Sequence, residues 1–94
     1  MSENGNGARL SAGEAIRTAR HVVVELTGKQ AEGISGVNRA GDGGWTVCVD
    51  VVELVRVPSS TDLLATYEVC LDDDGGLVDM ERRRRYTRNQ VDEE

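Results

Sequence analysis

The chain has 94 residues, which suits one small domain and leaves no room for two independent cores. Hydrophobic residues make up 38% of it, and its aromatics are Trp45, Tyr67 and Tyr86 with no phenylalanine, so the core is thin and built mainly of valine. No apolar run approaches the ~20 residues of a membrane span, and two cysteines are too few for a disulfide-rich secreted scaffold.

Residues 1–10, with two glycines and two asparagines, read as a disordered lead. Its start has no charged-then-apolar segment, so the expected compartment is the cytoplasm. A single domain is expected over residues 11–88. It opens on a helix over 12–27. Ser11 and Glu14 have the spacing of a capping box, and Leu10 can staple onto Ala15. Ile16, Ala19, Val23 and Leu26 form one helical stripe, widened by Val22. Thr27-Gly28 stops the helix.

Residues 32–39 read as a short, glycine-weakened edge strand. The run Gly41-Asp42-Gly43-Gly44 is a turn. Residues 45–57 are the best strand, with Trp45, Val47, Val49 and Val51 on one face. Alternation breaks at Val51-Val52, which calls for a bulge there or for burial on both faces. Pro58 ends the pairing, and residues 59–62 make a loop. Residues 63–71 alternate again. Residues 72–76 form a hairpin loop, and a last strand runs over 77–87 with Val78 and Met80 inward. The tail, 89–94, is acidic and should fray. The predicted class is α+β: one amphipathic helix on an antiparallel meander of three long strands plus the short edge. The expected covered set is Ile16, Ala19, Val23, Leu26, Trp45, Val47, Val49, Val51, Tyr67, Val69, Leu71, Val78 and Met80.

The net charge of −6 is unevenly spread. Residues 42–81 carry ten acidic side chains against Arg56 alone, whereas residues 82–88, RRRRYTR, carry five arginines. An acidic body with one dense basic patch does not suit broad nucleic-acid binding. It suits an acidic protein surface or another copy of the same chain.

Three blocks resemble the gas vesicle protein O (GvpO) family, of the actinobacterial kind. They are GWTVCVDVVELVRVP at 44–58, TDLLATYEVCLDDDGGL at 61–77 and RRRRYTR at 82–88. Arg83 stands where the family pattern has an apolar residue, and Glu81 interrupts the basic start of the third block. The resemblance implies an accessory protein of gas vesicle formation that is not the shell protein. It implies assembly or regulation through contacts with other gas vesicle proteins, with no enzymatic activity and no cofactor. The helix and the hairpin closing on YEVCLDDDGGL also look like a PepSY-type binding module in arrangement.

The residues themselves give weak support to other chemistry. Asp72, Asp74, Gly75 and Glu81 fall at positions three, five, six and twelve of a calcium loop, but Cys70 stands at position one and the flanks are strands. His21 has no partner in sequence to make it a general base. Cys48 and Cys70 match neither a zinc pattern nor C-x-x-C. No catalytic or metal residue is assigned. The candidate interaction surface is Arg82, Arg83, Arg84, Arg85, Tyr86 and Arg88, with Arg82, Arg84, Met80 and Tyr86 sharing one strand face. Two readings of the arginines stand: neutralisation within the sheet by Glu68, Asp79 and Glu81, or a docking surface. A small nucleic-acid-binding regulator is the alternative use of that surface.

Overall fold

The structure, a computed structural model, describes residues 9–91. The chain runs through helix α1 (Ala12–Thr27), strands β1 (Gln30–Arg39) and β2 (Trp45–Leu54), a 3-10 turn (Ser59–Thr61), strands β3 (Leu63–Leu71) and β4 (Leu77–Thr87), and a short helix α2 (Arg88–Val91). The four strands form one antiparallel sheet in the order β1-β2-β3-β4. The α+β meander expected from the sequence is therefore present, and its first edge strand is ten residues long rather than short. The expected lead falls outside the described residues for 1–8, and the acidic tail does so for 92–94.

Capping fixes where α1 begins and ends. The Ser11 hydroxyl accepts the Glu14 amide at 3.2 Å, and the Glu14 carboxylate accepts the Ser11 amide at 2.8 Å. These bonds satisfy two donors that the first turn leaves orphaned. They also hold the Glu14 carboxyl below its usual range, chiefly through the Ser11 amide. At the far end Gly28 adopts φ of 70°, a left-handed cap that a side chain resists.

Helix α1 lies over the first three strands. Ala15, Ala19 and Val23 are fully buried against Trp45, Val47, Val49, Val51, Ala65, Val69 and Leu71. The two alanines let the helix sit close to the valine layer. Leu10, Ile16, Ala31, Ile34, Val37, Tyr67 and Met80 pack around this core. Two expectations fail. Leu26 is 60% exposed, because the last turn of α1 runs past the packed layer although its azimuth matches the stripe. Val78 is 65% exposed, because it is an extra residue between the pairs Cys70–Asp79 and Leu71–Leu77.

Such bulges recur. Counted against their partners, Glu32, Ser35, Glu53, Val78 and Arg83 are each one residue too many. The break foreseen at Val51-Val52 is the bulge at Glu53. At the other end of the sheet the turn before β2 presses on the β3–β4 loop. A Cβ on buried Gly44 would run into the Leu71 carbonyl, so only glycine fits.

Candidate functional site

The arginine run occupies β4, the outer strand of the sheet, beyond the area covered by α1. The bulge at Arg83 decides where its side chains go. Arg82 pairs with Tyr67 and Arg85 with Ala65, which lie on the helix-covered face. Arg84 pairs with Thr66, and Tyr86 with Leu64, on the open face. The expected sharing of one face by Arg82 and Arg84 is thus corrected. One inserted residue reverses the parity, so the cations fan to both sides of the strand.

On the helix side the run meets Glu53. Its side chain is only 10% exposed and lies 3.7 Å from Arg82 Nη1 and 3.5 Å from Arg85 Nε. The Tyr67 hydroxyl donates to the same carboxylate at 3.2 Å. Burial, and then the Glu53 charge, push the Tyr67 phenol above its usual range. Both guanidiniums remain about half exposed.

On the open side Glu68 and Glu81 stand directly opposite each other, a destabilising pairing of like charges. Arg83 relieves it, lying 3.9 Å from Glu68 and 3.2 Å from Glu81. Arg84 stacks on the Tyr86 ring at 4.3 Å. Beside that pair, Asp50 accepts the hydroxyls of Thr66 at 2.6 Å and Ser35 at 3.4 Å. These five residues line a shallow cavity of about 380 Å³. Burial, and then the Asp50 charge, raise the Tyr86 phenol.

Arg88 leaves the group. It reaches across the end of the sheet, donating to Glu32 on β1 at 2.6 Å and to Asp62 at 3.0 Å. Its own amide donates to the Asp62 carbonyl at 2.9 Å. Asp62 is 5% exposed and also accepts the Arg56 amide at 2.8 Å. The Arg56 amide and then Arg88 hold the Asp62 carboxyl below its usual range. Glu32 and Asp62 in turn raise Arg88. This clamp ties β4 to the opposite edge.

The remaining candidates scatter. His21 is exposed on α1, 4.0 Å from Glu25. Cys48 and Cys70 are free and half-buried on the open face, and burial pushes the Cys48 thiol up. Carboxylates of Asp72, Asp73 and Asp74 lie within 4.8 Å of one another. Asp72 already accepts the amides of Asp74 and Gly76, and Glu81 faces Arg83 on β4. The turn therefore uses its own carboxylate to close. Glu53 was missed as a functional neighbour. The broken alternation at Val51-Val52 was its only signal, since a bulge is what turns it toward the arginines.

Among the described residues no helix is long and apolar enough to cross a membrane. No solved structure matches the chain, so the PepSY-type likeness rests on element order alone. Gas vesicle protein O of a Streptomyces strain is 48% identical over 77 residues, covering 82% of this chain and 59% of that relative. This chain therefore spans less than two thirds of that relative's length. Gas vesicle protein O of Haloferax mediterranei is 31% identical over all 94 residues and 67% of its own length. Gas vesicle protein O1 of Halobacterium salinarum is 34% identical over 99% of this chain and 76% of its own. The family described as gas vesicle synthesis protein GvpO matches residues 1–92, and the chain belongs to that family.

Proposed function

We propose that this chain is a non-catalytic accessory protein of gas vesicle formation. It works in the cytoplasm by holding other gas vesicle proteins against β4. The observation that carries this reading is the arginine run on an uncovered edge strand. Arg82, Arg83 and Arg85 remain 46%, 52% and 50% exposed even while paired. Paired but exposed guanidiniums keep donors for a partner's carboxylates, and arginine is favoured at such contacts. Glu53, Glu68 and Glu81 interleave with the cations and would repel a phosphate backbone, which favours a protein partner over nucleic acid. Support for a non-catalytic role comes from the raised Cys48 thiol and the exposed His21, neither of which is set up as a nucleophile or base.

The test is capture from a gas-vesicle-producing cell with the wild type and an Arg83→Glu/Arg84→Glu variant of unchanged melting temperature. The wild type should recover identified gas vesicle proteins, and the variant should lose most of them. Equal recovery by both forms would remove β4 as the contact surface.

A further inference from the structure

The outer edge of β4 fits a second copy of itself. Its eleven residues segregate by sign: Asp79 and Glu81 lie in the first half, and Arg82 to Arg85 lie in the second. A strand of this pattern repels itself in parallel and matches itself antiparallel. With Arg82 near a two-fold axis and the bulged Arg83 outside the ladder, Glu81 of one copy faces Arg84 of the other on the open face, and Asp79 faces Tyr86 with Arg84 diagonal to it. Leu77 and Val78, which are 44% and 65% exposed, then lie beside Tyr86 and Thr87 of the second copy. Each Arg82 approaches its mate but stays beside its own Glu53, 3.7 Å away. Counted with their neighbours, the four arginines face four carboxylates, Glu53, Glu68, Asp79 and Glu81, so the seam carries no net charge.

We infer that two copies join through antiparallel β4–β4 pairing into one continuous eight-stranded sheet. An edge strand leaves a row of unpaired backbone donors and acceptors, and pairing satisfies them. The opposite edge does not extend the array. Both edge strands carry two bulges, but β1 also holds Gly33 and Gly36 in its middle, which weaken it as a template for a further strand, whereas β4 has no glycine. The assembly therefore closes at a dimer instead of growing into a filament. The seam is one strand wide with α1 set back from it, so it lies at the small end of interface sizes and dissociates in roughly the micromolar range.

The purified full chain tests this without any gas vesicle partner, so its outcome is independent of the docking reading. Sedimentation equilibrium should show the mass rising with concentration from 10.2 kDa toward twice that value. An Asp79→Arg/Glu81→Arg chain and an Arg83→Glu/Arg84→Glu chain should each stay monomeric, with circular dichroism checking that both fold. Mixed together, their β4 strands become complementary and should form a heterodimer. Hydrogen exchange should slow selectively along 77–87 as the dimer forms. A chain monomeric up to millimolar concentration would overturn the inference. So would dimers that survive in each charge-reversed chain alone, or protection confined to another face.

Discussion

Glu53 takes its role from a single inserted residue. The bulge points its carboxylate at Arg82, Arg85 and Tyr67 in a mostly buried position. Replacing it by alanine leaves a phenol and two guanidiniums without their shared acceptor. Glu53→Ala should therefore cost roughly 1–3 kcal/mol in urea unfolding. Asp62 gives a pH signature. Its folded carboxyl titrates below the usual value, so it stabilises the fold above the unfolded range near pH ~3.9 and loses that contribution as pH falls through the folded value. Asp62→Asn should thus melt earlier than wild type at pH 7, and the gap should close as the pH drops below about 4. A gap that stays constant into acid would mean that the Arg56 and Arg88 contacts do not depend on the charge. Neither partnership was legible in the sequence. Glu53 is 29 residues from Arg82, and Asp62 is 26 from Arg88, so only the register of three strands brings them together.

Local chemistry was readable where neighbours in sequence are neighbours in space. The Ser11–Glu14 box, the Gly28 cap and the strand start after Gly44 were foreseen, because each rests on bonds or sterics within a few residues, whereas the strand expected to run to Val57 stops at Leu54, just past the Glu53 bulge. Ser11→Ala should cost about 1 kcal/mol through the lost cap. Burial was read less well. The stripe placed Leu26 inward by azimuth alone, but azimuth does not say whether a sheet lies beneath the last turn. Val23→Ala should cost about 2 kcal/mol, whereas Leu26→Ser should change stability by less than about 0.5 kcal/mol. Chemical unfolding of the two variants side by side measures the contrast, and equal losses would contradict the packing described. Strand faces were hardest to foresee. Period-two reading assigns sides correctly until a bulge, and the bulge at Arg83 reassigned Arg84, Arg85 and Tyr86.

Across the whole molecule, charge and coverage divide the labour. Helix α1 seals the valine layer of the first three strands and leaves β4 to its own side chains. The acidic β3–β4 loop sits at one end of the sheet, and the Arg88 clamp closes the other. Between them the arginine strand is paired with carboxylates yet about half exposed. The sequence announced the density of cations but not that Glu53, Glu68 and Glu81 would share them. Whether that strand serves gas vesicle formation can be read in a producing cell whose own copy has been replaced by the Arg83→Glu/Arg84→Glu chain. Pressure-sensitive light scattering reports intact vesicles. A stable, folded variant should give few or none, and a normal vesicle yield from it would contradict the role assigned to β4.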